Sequence, residues 1–164
     1  MFEVRVHGSL WGAASPARAA EWRHAIAEFN ADNAVASDSI APAPGAAIEL
    51  VRPPGGFFHV RIYGDPNELV ATVPLEPPTV EAHFREYAET IRHLRRLDLE
   101  APVRGIEAVD YAKRVVHDEA GDYLRKALRP WVTVSVDDAR RLFTLLFLVG
   151  SDLPDDALGF HRRH

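Results

Sequence analysis

The chain has no cysteine. Disulfide staples, thiolate metal sites and thiol nucleophiles are therefore excluded, and a reducing cytoplasm is the expected compartment. Long hydrophobic runs are also missing. The longest, LFTLLFLVG near the C-terminus, is far short of the ~20 residues a membrane span needs, so no membrane contact is expected. The opening MFEVRVHGSL has no basic start leading into an apolar stretch, so no secretory leader is expected. Positive charge is in deficit, with 19 Lys and Arg against 24 Asp and Glu. Broad electrostatic binding to nucleic acid is not expected from such a balance.

Familiar catalytic motifs are absent as well. Neither GxSxG nor GxGxxG occurs, which removes the usual hydrolase and dinucleotide signatures. PPGG at 53–56 lacks the Lys-Ser/Thr ending and following helix of a phosphate loop. None of the eight histidines forms an i,i+4 pair, so neither a metal nor a cofactor is expected.

What is present is an ordinary globular composition: 164 residues, 47% apolar and 26% charged. That suits one domain with a sizeable core. The expected division is a domain over 1–150 and a loosely attached tail over 151–164.

FEVRVHG alternates apolar and polar residues and predicts a strand over 2–7. Ser15 as N-cap and Pro16 at the first helical position open a helix that ends near Asn30, with Trp22, Ala25, Ile26 and Phe29 on one face. Residues 31–46 are small, polar and Pro-rich, and read as a loop. Strands over 47–52, 57–63 and 68–74, separated by PPGG and GDPN, read as an antiparallel meander whose edge the first strand could join. Thr79 is the expected cap of a helix over 80–98. A second long helix follows over 104–128, which Gly121 could bend or divide. WVTVSV reads as a strand over 131–136, and Asp137 as the cap of a last helix ended by Gly150. Strands precede helices, so the expected class is α+β: a small antiparallel sheet of three to four strands with three to four helices packed on one face.

The chemistry concentrates in IEAVDYAKRVVHDEAG, residues 106–121. At 100° per residue, with Glu107 at zero, Arg114, Asp110 and His117 fall at about 340°, 300° and 280°. The apolar residues gather opposite. Asp110 and Arg114 are i,i+4 neighbours, and Arg114 and His117 are i,i+3. Asp110 and His117 are roughly 10 Å apart along the axis, so no triad forms within one helix. A salt-bridged helix flank explains the pattern without a ligand. The functional reading needs a second element, and ARRLF offers one. Its Arg140 and Arg141 lie in the first turn of a helix, where the dipole disfavours cations. A carboxylate would repair that, and Glu107 or Asp110 is the expected partner. The Arg92, His93, Arg95, Arg96 and Arg104 cluster either docks an acidic group or offsets a helix dipole.

RGIEAVDYAKRVVHDEAGDYLRKAL followed by VTVSVDDARRLFTLL resembles the uncharacterised protein family UPF0262, a group of small bacterial proteins. The matching positions are Ile106, Glu107, Ala108, Asp110, Arg114, His117, Glu119, Leu124 and Leu128, then Asp137 and Ala139 through Leu145. The resemblance is specific over about 104–146. Asp118 stands where the family pattern carries Asn, and Ala120 where it carries Gly. No activity, cofactor or partner is implied by the resemblance.

Two functions remain open. One is an accessory or regulatory protein that binds a protein partner or a second copy of itself. It rests on the last helix, apolar almost all round, and on Trp22, Phe57 and Trp131 as exposed aromatics. The other is an enzyme or small-anion-binding protein using Glu107, Asp110, Arg114, His117, Arg140 and Arg141. A concave pocket uniting His117 with an arginine distinguishes the second.

Overall fold

The computed structural model describes residues 2–41, 43–100 and 106–158, without the side chains of 97–100 and 106–107. Strand β1 (Glu3–Val6) leads through a single-turn α1 (Gly8–Trp11) into α2 (Pro16–Ala31). The meander follows as β2 (Ala47–Val51), β3 (His59–Gly64) and β4 (Glu68–Pro74). Helices α3 (Pro77–Glu100), α4 (Ile106–Leu128) and α5 (Val136–Gly150) complete the body, and a single-turn α6 (Asp155–Leu158) closes it.

The class is α+β, with one four-stranded sheet in the order β1-β2-β3-β4. The meander is antiparallel as read from the sequence, but β1 joins β2 in parallel, pairing Val4 with Ile48 and Val6 with Leu50. The sheet is therefore mixed. The cause lies in α2, which spans 16 residues between the two strands and returns the chain to the same end of the sheet. Asn30 fastens that crossover, since its side-chain oxygen accepts the Val4 N–H at 2.8 Å. The turn before β2 depends on Gly45, at φ 100°, where a Cβ would come 3.0 Å from the Asn67 nitrogen.

Ser15 caps α2 and Pro16 opens it, as expected. The 131–136 segment is not a strand. Ser135 instead turns its hydroxyl onto the Asp138 N–H and becomes the N-cap of α5, in place of Asp137. Only Thr133 keeps a β-bridge, to Ala36, which ties the 31–46 loop to the helical layer. Thr79 does not cap α3, because that helix already begins at Pro77. Gly121 neither bends nor divides α4. It is buried where α5 approaches, and a Cβ there would touch Ala139 at 3.4 Å.

The core lies between the inner sheet face and α5. Ile48, Leu50, Val60 and Ile62 supply the sheet side. Phe143 and Phe147 on α5 meet Phe84 and Tyr87 on α3 in a tilted and edge-to-face cluster. Eight of the fifteen α5 residues are buried, so its all-round apolar character is that of a central core helix. Trp22 is buried too, at 3% exposure, and its ring N–H donates to the Leu148 carbonyl at 2.9 Å. It is not the exposed aromatic expected. Beyond α5, Leu153, Ala157 and Leu158 are buried. Arg18 reaches the carbonyls of Leu148, Ser151 and Leu153 and pairs with Asp155.

Candidate functional site

Helices α4 and α5 pack closely because small residues face each other, Gly121 on one and Ala139 on the other. Polar side chains flank that contact. His117 is half-buried on α4, and its Nε2 lies 3.0 Å from the Thr144 hydroxyl on α5. The Thr144 hydroxyl donates to the Arg140 carbonyl one turn earlier, also at 3.0 Å. A carbonyl can only accept, so the threonine proton is spent there and His117 is the donor at Nε2. The imidazole is braced edge-on by Tyr87, ring centroids 4.7 Å apart, and by Phe143 at 5.7 Å.

Arg140 does reach α4, as the dipole argument requires, but not at Asp110. Its guanidinium holds Asp118 at 2.5 Å and Asp137 at 3.3 Å. Asp110 lies about two turns away along α4, beyond the reach of that side chain. Arg141 points elsewhere. It donates to the Asp32 carbonyl at the end of α2 and pairs with Asp138 at 3.3 Å. Adjacent residues on a helix diverge by about 100°, so the two arginines cannot share one seam. Asp138 is 1% exposed, and its second oxygen accepts the Ala34 N–H at 2.8 Å. Arg141 thus belongs to a structural knot holding α2 and its following loop to α5.

The remaining nominated residues are dispersed. Arg114 is exposed, without an ion pair among the described residues. Asp110 is half-buried, and one carboxylate oxygen has no hydrogen-bond partner. Lys113 is 6% exposed, and burial pushes its ammonium below the ordinary lysine range, with Asp110 opposing that shift. The side chain of Glu107 lies outside the described residues, as do Arg104, His161 and His164.

A cleft of about 320 Å³ opens on the seam, lined by His117, Asp118, Gly121, Asp122, Arg125, Val136 and Arg140. Arg125 was not foreseen. Its Nε donates to the Val134 carbonyl at 2.9 Å, which fixes the guanidinium at the rim. Asp122 is taken up by Lys126 at 2.8 Å, and that hydrogen bond lowers its carboxyl below the usual range. Thr144, Tyr87 and Asp118 were also missed. Each acts through a contact between helices, which spacing within one helix does not reveal. Lys113 had a signal, since the wheel places it at about 240°, beside the apolar arc.

Among the described residues no group of three or more His, Asp or Glu could hold a metal, and no helix is long and apolar enough to cross a membrane.

These features define a small α+β protein with a polar cleft between its two central helices. The Uncharacterised protein family (UPF0262) model matches residues 1–151, and the chain belongs to that family. It is 30% identical to the UPF0262 protein of Acidiphilium cryptum over 137 residues, 84% of this chain and 83% of that one. It is 33% identical to that of Maricaulis maris over 132 residues, 77% and 78% of the two chains. No solved structure matches.

Proposed function

We propose that the protein binds a small oxyanion in the α4–α5 cleft, where Arg125 meets its charge and His117 exchanges a proton with it. The observation that carries this reading is the placement of Arg125. It lines the cleft with His117, is fixed through Nε, and has no ion pair among the described residues. Arg140 closes the other side with its charge already balanced by Asp118 and Asp137. A guanidinium held in this way is preorganised for a carboxylate or phosphate. The partner-binding reading loses its principal support, because α5 and Trp22 are covered within the chain.

Calorimetric titration with inorganic phosphate, in two buffers of different ionisation enthalpy, tests the proposal. The expected result is a binding isotherm that Arg125→Gln weakens at least tenfold. The observed heat differs between buffers in the wild type and no longer does in His117→Gln. Binding that ignores Arg125→Gln overturns the assignment.

A further inference from the structure

A second pocket gathers charged side chains that form no ion pair among the described residues. It has a volume of about 430 Å³ and forms where α3, the β2–β3 loop and the end of α5 meet. Its residues are wholly distinct from those of the α4–α5 cleft.

The floor is aromatic. Phe58 is buried at 1% exposure, Phe57 packs edge-to-face on it at 5.4 Å, and Phe84 comes up from α3. The two rings of Phe58 and Phe84 reach the end of α5 only because residue 150 is glycine. A Cβ there would stand 2.8 Å from the Phe58 ring and 2.9 Å from the Phe84 ring. Arg52 lies over the Phe58 ring, 5.2 Å from its centroid.

Charge of both signs surrounds that floor. On α3, Glu81, Arg85, Glu89 and Arg92 recur at helical spacing and line one wall. Arg52, from the β2–β3 loop, and Asp152, just beyond α5, line the pocket as well. Spacings of three and four residues on α3 allow intrahelical pairs. Yet none of these six charged groups makes an ion pair among the described residues, in contrast to Arg140 or Arg18. Asp152 adjoins the carboxyl end of α5, the electronegative end of that helix. Ser151 sits beside it with a hydroxyl that lacks a hydrogen-bond partner.

We infer that this pocket binds a small zwitterion with a flat apolar side group, of the α-amino-acid class. The guanidinium forks of Arg85 and Arg92 take the carboxylate. Asp152 and the end of α5 take the ammonium, and the Phe58 and Phe84 rings take the side group. An anion alone would leave the three carboxylates unmatched, and a cation alone the three guanidiniums.

The full chain, labelled with nitrogen-15, is titrated with L-phenylalanine, 3-phenylpropanoate, 2-phenylethylamine and glycine. Amide shifts locate binding and heats measure it. L-Phenylalanine is expected to move the Gly150, Ser151 and Asp152 amides. The other three compounds each bind at least tenfold more weakly. Arg85→Gln and Asp152→Asn, both at exposed positions without ion pairs, each weaken L-phenylalanine at least fivefold while leaving the unbound spectrum otherwise unchanged. Equal binding of all three ring compounds would mean mere apolar adhesion and overturn the inference. So would shifts confined to the His117 cleft, or no shift at 10 mM ligand.

Discussion

His117 and Thr144 join the two central helices through one hydrogen bond of 3.0 Å, and its direction is set by the carbonyl of Arg140. Since the threonine proton is committed, Nε2 of His117 carries the hydrogen. Thr144→Val removes the acceptor while preserving shape and strands a half-buried donor. The expected cost is about 1–3 kcal/mol, read as a lower urea midpoint with unchanged slope. Thr144→Ser restores most of it. Nitrogen-15 spectra of the imidazole should show the Nε2–H tautomer in the wild type. A dominant Nδ1–H form would break the argument.

The two neighbouring arginines should differ sharply when their partners are removed. Asp118 is half-exposed, at 51%, opposite Arg140 at 39%. Exposed pairs are worth little, so Asp118→Asn should cost no more than about 1 kcal/mol. Asp138 is buried and satisfies both Arg141 and the Ala34 N–H. Asp138→Ala strands those donors and should cost about 2–3 kcal/mol. Chemical denaturation of the two variants side by side checks the order, and equal losses would contradict it.

That contrast also shows which parts of the molecule could be read in advance. Periodicity located the first strand, the meander and the long helices, because burial on one face repeats along the chain. The physical need of Arg140 and Arg141 for counter-charge was also legible from their place in a helix's first turn. The partner of Arg140 on α4 was not, since Asp118 lies 22 residues away in sequence. Nor was the backbone carbonyl of Asp32 that Arg141 reaches across 109 residues, although the counter-charge of Arg141, Asp138, stands three residues before it. The 131–136 segment misled for a local reason. Its alternation is that of a strand, but the hydroxyl of Ser135 bonds the backbone ahead and starts a helix instead. The parallel pairing of β1 likewise follows from the path of α2, which no strand pattern contains.

Tyr87 is fully buried among Phe143, Phe147 and His117, and its hydroxyl has no hydrogen-bond partner among the described residues. Burial pushes its phenol well above the ordinary tyrosine range. A group whose folded-state pKa is raised contributes stability that is intact below its unfolded pKa. That stability is lost as pH rises through it. The fold should therefore weaken above pH about 10, where only the unfolded phenol ionises. Tyr87→Phe should raise the thermal midpoint at pH 8, by removing an uncompensated buried hydroxyl, and flatten the decline between pH 9.5 and 11. A variant as alkali-sensitive as the wild type would place the cause elsewhere.

Two glycines give opposite expectations for the same substitution. Gly121 lies inside α4, where a Cβ would meet the Cβ of Ala139 at 3.4 Å, an ordinary contact. Gly121→Ala should gain up to about 1 kcal/mol from helix propensity. Gly150 ends α5 against two phenylalanine rings at 2.8 and 2.9 Å, inside contact distance. Gly150→Ala must displace Phe58 or Phe84, and overpacking of that kind costs about 1–3 kcal/mol. The displaced rings form the floor of the second pocket, so Gly150→Ala should also weaken L-phenylalanine there, while Gly121→Ala leaves that affinity unchanged. Thermal melts and calorimetry on the pair test both statements together. The two effects separate if Gly150→Ala melts lower yet binds normally, and in that case the rings serve the core alone.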